Sequence, residues 1–213
     1  RLSLQERSWY NPDRTSRNFF VPGVVAMLLF ITSLQLTAMA IVREREIGTI
    51  EQLLVTPLRS SELMLGKTIP FALIGLADAV LITLAAVFWF RVPLTGSVPV
   101  LFLATGLFLL SGLGCGLYIS TVARTQQQAL MGMFFAAQPA MLLSGLIFPV
   151  ENMPVVVQWL TIANPLRHFL EIVRGIFLKG NGLAILWPQL TALLAIGVSI
   201  LTVSTLRFRR GLD

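Results

Sequence analysis

The sequence predicts an all-α polytopic membrane protein, and three observations predict it. Of 213 residues, 55% are hydrophobic and only 12% charged, with a mean hydropathy of +0.80, and a soluble fold of this size could not hide that much apolar surface from water. Five apolar runs, near 22–42, 69–90, 98–122, 129–148 and 183–206, reach the roughly 20 residues that a helix needs to cross a hydrocarbon core about 30 Å thick. No run alternates polar and apolar residues as a barrel strand does. Backbone groups in lipid must bond internally, so the spans are expected to be helices.

Residues 1–21 are expected to be the end of an extracytoplasmic region, ahead of a transmembrane domain over 22–206 and a cytoplasmic tail over 207–213. The chain opens on Arg1, with no short apolar leader before the first span, which creates the expectation of a fragment or processed piece. An odd number of spans puts the two ends on opposite sides. The Lys and Arg count ties at eight on each side, but the positive-inside rule reads short loops. Discounting 1–20 as the tail of a translocated domain places 43–68 and Arg207-Phe208-Arg209-Arg210 in the cytoplasm.

Between the first two spans, 43–68 concentrates charge beside an amphipathic face. Ile47, Ile50 and Leu54 recur at i, i+3 and i+7, while Arg43, Glu44, Glu51 and Gln52 lie elsewhere around the helix. Pro57 has no backbone donor and pushes Thr56 out of the α region, so the helix ends there. A second can start at Ser60 or Ser61 as N-cap, with Glu62 at its positive end. Such a segment is shaped as a grip for a soluble partner.

The stretch 149–182 is apolar but offers no uninterrupted span, because Pro149, Pro154, Pro165, Gly175, Gly180 and Gly182 divide it. Its second piece opens with Asn164 as N-cap and Pro165 at the first helical position. Leu166, Phe169, Leu170, Val173, Ile176 and Phe177 then form one face, opposite Arg167, His168, Glu171 and Arg174. Glu171 is at pairing distance from both arginines. The pattern predicts a re-entrant helical hairpin that dips into one leaflet, with its apolar stripe at the interface.

Inside the spans, Asp78 lies near the middle of the second, where a carboxylate costs about 3 kcal/mol on insertion scales. Two readings stay open for it: a structural hydrogen bond to a neighbouring span, or a role in substrate passage. Gly112, Gly114 and Gly116 give a small-residue surface for close helix packing. Cys115 among them reads as a packing residue. Met131, Met133, Phe134, Phe135 and Met141 suit an adaptable apolar lining and equally plain lipid contact, with lipid or core the favoured reading.

Several function classes fall away on composition. The net charge of +6 comes from 16 Lys and Arg scattered over every inter-span segment, without the basic stripe and interleaved aromatics of a nucleic-acid surface. Gly66-Lys67-Thr68 resembles the end of a phosphate loop, but Ser61 stands where the first glycine is required. His168 and Glu171 lack the further ligands of a metal site. An ion-coupled secondary transporter using Asp78 and a membrane-embedded enzyme using His168 and Glu171 remain as rivals to a transport subunit.

Three stretches carry a resemblance: EREIGTIEQLLVTP after the first span, then SGLIFPVENMP, then ANPLRHFLEIVRGIFLKG before the last. In order and over essentially the whole chain they resemble the membrane subunits of type-two ATP-binding-cassette exporters, in particular bacterial drug-efflux permeases. Trp9-Tyr10-Asn11-Pro12 and Asn18-Phe19-Phe20-Val21-Pro22-Gly23 match the approach to that family's second span. A first span and most of a large extracytoplasmic domain, present in the family, have no counterpart in this sequence.

The resemblance implies a multi-pass protein of the bacterial inner (plasma) membrane that moves a hydrophobic or amphipathic, drug-like substrate outward. It implies no cofactor and no catalysis on this chain, ATP and Mg being held by a partner ATPase. A second permease, the same or related, completes a dimer in membrane lipid. It implies ATPase docking through a coupling helix at 44–56, with Glu44, Arg45, Glu46, Gly48, Thr49, Glu51, Gln52, Thr56 and Pro57. It implies an outer-leaflet hairpin near the exit, with Gly145, Phe148, Pro149, Met153, Pro154, Asn164, Pro165 and Arg174.

Overall fold

A computed structural model describes residues 16–48 and 60–210, and among these the regular structure is entirely helical. In chain order the helices are α1 (Ser16–Ile47), α2 (Ser60–Leu84), α3 (Val98–Val122), α4 (Gln126–Leu142), α5 (Val155–Thr161), α6 (Pro165–Lys179) and α7 (Leu183–Arg210). A π-helical turn, Ala85–Trp89, closes α2, and a 3-10 turn, Val150–Asn152, precedes α5. Four helices are long and apolar enough to cross a membrane, by length and composition: Phe20–Glu44, Thr68–Trp89, Val98–Val122 and Leu183–Arg207. These coincide with four of the five expected spans.

The fifth is shorter than expected. The 129–148 run gives a helix of only 17 residues, Gln126–Leu142, about 26 Å long at the usual rise. Composition stays apolar past its end, but Gly145 takes a positive φ of 81°, and the Ser144 hydroxyl donates to Met141 O at 2.7 Å. A turn therefore replaces the last helical turns before Phe148 and Pro149.

α3 is the hub. It packs most extensively on α7 and then on α1, and its small residues allow both approaches. A Cβ on Gly112 or Gly116 would collide with Ser33 or with Leu34 O on α1, and one on Gly114 would lie 2.9 Å from Ile200 Cγ2 on α7. The glycine surface thus serves contacts within the chain. Ser204 Oγ of α7 donates to Gly114 O at 2.8 Å, a buried bond between the two helices. Phe108 of α3 is fully buried, stacked on Phe169 of α6 at 4.1 Å and tilted against Phe30 of α1.

The loop from α2 to α3 is shaped by its bond to α6. Phe90 N donates to Ala85 O in the π turn, and Arg91 takes a positive φ of 51° to turn the chain. Gly96 N then donates to Ile176 O at 2.9 Å and Thr95 N to Phe177 O at 3.4 Å. Those carbonyls lie in the last turns of α6, where intrahelical donors run out. Gly96 is required, because a Cβ there would sit 2.8 Å from Ile176 O.

Two short helices do follow Pro149, as expected, but the stripe of α6 has another destination. Leu166, Phe169, Leu170, Val173, Ile176 and Phe177 are all buried, and α6 packs on α1, α7 and α3. The apolar face fills the bundle core instead of a lipid interface. Between Pro149 and Gly182 it is α5 that exposes apolar surface, through Val155, Val156, Trp159 and Leu160.

Candidate functional site

At one end of the bundle α1 runs on past its apolar stretch through Glu44, Arg45, Glu46 and Ile47, and then breaks at Gly48, whose φ is 81°. A left-handed glycine thus ends α1 after Ile47. The other expected coupling residues, Thr49, Glu51, Gln52, Thr56 and Pro57, lie outside the described residues.

Glu46 is exposed yet engaged. Its carboxylate accepts from Gln126 N at 2.8 Å and from Gln126 Nε2. Gln126 is the first residue of α4, so Glu46 satisfies an orphan donor at the positive end of another helix. The Gln126 side chain first, and its backbone N–H second, hold the carboxyl below its ordinary range. α4 completes its own start with a reciprocal cap, Thr125 Oγ1 accepting from Gln128 N at 3.2 Å and Gln128 Oε1 from Arg124 N at 2.9 Å. The ends of α1 and α4 are thereby clasped together.

At the opposite end of α4, Asn164 joins α4 to α6. Its Oδ1 accepts from Leu166 N at 3.1 Å as the N-cap, with Pro165 at the first position, while its Nδ2 donates to Ala140 O at 2.7 Å. Arg174 Nη1 donates to Gly145 O at 3.3 Å. Arg167 pairs with Glu171 at 3.3 Å and also bonds Thr161 Oγ1, and Gln189 Nε2 of α7 donates to Glu171 Oε2 at 3.2 Å. Of the expected hairpin residues, Asn164 and Pro165 thus open α6 against α4, while Arg174, farther along α6, reaches Gly145. Phe148, Pro149 and Pro154 are exposed, and Met153 O accepts from Gln158 Nε2 at 2.9 Å.

Asp78 is half-buried and faces α1. The Thr32 hydroxyl lies 2.9 Å from Asp78 Oδ2 and 3.0 Å from Leu28 O. Both open readings survive, because this hydrogen bond to a neighbouring helix is also part of a cavity wall. That cavity, about 740 Å³, runs between α1 and α2 and includes Thr32, Gln35, Met39, Arg43, Phe71 and Asp78. A second, about 470 Å³, lies between α1 and α4 against Phe30, Gln35, Met133, Phe134 and Met141. Gln35 belongs to both. The Met and Phe residues of α4 divide accordingly, Met133 buried and Met131, Phe134 and Phe135 largely exposed.

Gln126 is the residue that sequence reasoning missed. Its segment was legible only as a polar break, and the one available signal was the Thr125-x-x-Gln128 capping pattern. His168, set against a metal role, has its Nε2 at 2.8 Å from Ile162 O. Among the described residues no group of three or more His, Cys, Asp or Glu could hold a metal ion.

Comparison with known proteins places this architecture. The ABC-2 type transporter family matches residues 5–178. The chain belongs to that family. It is 39% identical over 207 residues to the Escherichia coli protein named "Probable multidrug ABC transporter permease YbhR" and 38% identical over 213 residues to the one named "Probable multidrug ABC transporter permease YbhS". It is 35% identical over 212 residues to the "Inner membrane transport permease YhhJ". These alignments take in 97%, 100% and 98% of this ABC-2 chain, but 56% of each relative. A more distant likeness, 28% over 176 residues, covering 81% of the chain and 24% of the relative, links it to "ABC transporter G family member 20" of Dictyostelium discoideum.

Proposed function

We propose that this chain is the membrane permease portion of an ATP-binding-cassette exporter, moving hydrophobic or amphipathic compounds out of the cytoplasm of a bacterium. In this reading ATP and Mg belong to separate ATPase subunits. A like or related permease completes the pathway, and the assembly sits in the inner membrane. The observation that carries the reading is α1: one helix of 32 residues, about 48 Å long, that walls both apolar cavities and ends in the Glu46 clasp. Displacing its clasped end moves a stiff rod, and so changes both cavities at once. The names of YbhR, YbhS and YhhJ support the same class of work.

The test is flux of a neutral amphipathic dye in vesicles containing the full-length permease and its ATPase. ATP in the presence of an uncoupler is expected to drive export, in wild type and in Asp78→Asn alike. The amide still bonds Thr32, which donates in turn to Leu28 O. Flux driven by a pH gradient alone, and abolished by Asp78→Asn, would instead assign an ion-coupled transporter.

The 149–182 segment is proposed to enter and leave the membrane on one side, near the exit. Asn152 and Lys179 are both exposed. After Cys115→Ala, single cysteines at these two positions are expected to react with a membrane-impermeant maleimide from the same, extracytoplasmic side. Reaction from opposite sides would mean that the segment crosses, and would reverse the placement of α7.

A further inference from the structure

We propose that the cavity between α1 and α2 binds protonated lipophilic amines, with Asp78 as the counter-charge. The inference rests on the transport reading only in calling such amines cargo, and the binding itself stands on geometry. Along α1, Thr32, Leu36, Met39 and Arg43 form one stripe, and along α2, Phe71, Ile74, Asp78 and Leu81 face it across about 740 Å³. Polar atoms are sparse on these walls, so an occupant is recognised mainly by apolar contact plus the few charges present.

Those charges are not equivalent. Arg43 ends the stripe, eleven residues from Thr32, hence about 16 Å along the helix axis. It is exposed, whereas Asp78 is half-buried beside Thr32. The carboxylate uses Oδ2 toward Thr32 and keeps acceptor capacity for a donor cation inside the cavity. Among ligand charges, a cation gains at that depth and an anion is repelled. Phe71 and the soft thioether of Met39 accept flat or flexible apolar bodies between the two ends.

Depth also separates two sources of ammonium. Asp78 lies near the middle of the Thr68–Trp89 span, about 15 Å from either end. An aminophospholipid headgroup is anchored at the surface and does not reach it, while a small amine can descend with its whole body. The cavity is open on its side, where the wall residues Ile74 and Leu81 are 49% and 67% exposed, which gives a small amine a lateral way in.

Binding is measured without nucleotide, on the full-length complex in phosphatidylcholine nanodiscs, by the fluorescence of dansylcadaverine and of its neutral N-acetyl derivative. The amine is expected to bind roughly tenfold more tightly than the neutral derivative, the size of about one charge-assisted hydrogen bond. Asp78→Asn should remove that preference and leave the neutral compound unchanged, Asp78→Glu should retain most of it, and Leu36→Trp, which adds bulk to the cavity wall, should weaken both. Adding phosphatidylethanolamine should not compete. Competition by that lipid, equal binding of amine and neutral derivative to wild type, or an unaltered preference in a correctly assembled Asp78→Asn would each overturn the proposal. Binding that behaves as expected, without ATP-driven flux, would overturn the transport reading alone.

Discussion

Gly116→Leu is expected to prevent assembly of the folded permease, and Gly116→Ala to lower its melting temperature measurably. A Cβ at this position would stand 2.8 Å from Leu34 O, 2.8 Å from Thr37 Cβ and 3.2 Å from Ala38 N. Two of those three atoms are backbone and cannot rotate away, so α1 and α3 must separate along their contact. Overpacking of this kind costs about 1–3 kcal/mol for a methyl and more for a larger group. The energetic setting sharpens the effect, because helices in lipid associate through close packing more than through apolar transfer. Ser33 and Thr37 give their hydroxyls to Phe30 O and Ser33 O on their own helix, leaving van der Waals contact to hold this seam. Gly106→Ala, on the same helix with nothing within 4 Å of its new Cβ, is the matched control. It should be neutral or gain up to about 1 kcal/mol from helix propensity. Monodispersity and thermal unfolding in detergent decide the matter: equal melting of Gly116→Ala and wild type would show that the seam has slack.

The parts of this fold that the sequence disclosed were those set by local chemistry or by uninterrupted hydropathy. Val98–Val122 was bounded correctly because Pro99 opens the run and the polar segment at Arg124 closes it. Asn164-Pro165 was correct because an N-cap and a first-turn proline need only their own neighbours. Where the answer depended on partners, pattern reading failed in specific ways. The stripe of α6 looked interfacial because lipid and protein core both accept Phe169 and Ile176, and periodicity cannot tell them apart. The end of α4 was overrun because Leu143–Phe148 stays apolar while Gly145 turns the backbone. The cavity wall at Asp78 was anticipated as an intramembrane charge, but its partner Thr32 stands 46 residues away on another helix.

Glu46→Ala, Gln126→Ala and the double variant are expected to reduce export per ATP hydrolysed by a similar factor, on the order of tenfold. The pairing was invisible in the sequence, since 80 residues separate its members, yet it bonds the charged end of α1 to the start of α4. If the 44–56 region receives the thrust of an ATPase, as the resemblance to the exporter family implies, that bond makes α1 and α4 move as a unit around the cavity they share. Cutting it from either side should give the same uncoupled state, so the double variant should add little to the singles. ATP hydrolysis and membrane insertion should persist in all three. The linkage sign follows from the lowered carboxyl pKa: the stabilisation is present above the unfolded value near 4.5 and is lost as pH falls through the lower folded one. At neutral pH the clasp is therefore fully formed, and acidity on the physiological scale should not release it. Glu46→Gln keeps an acceptor for Gln126 N but loses the charge, and should fall between wild type and Glu46→Ala. Independent, additive losses in the two single variants would mean that Glu46 and Gln126 act through separate contacts, and normal coupled export in the double variant would remove the clasp from the transport mechanism altogether.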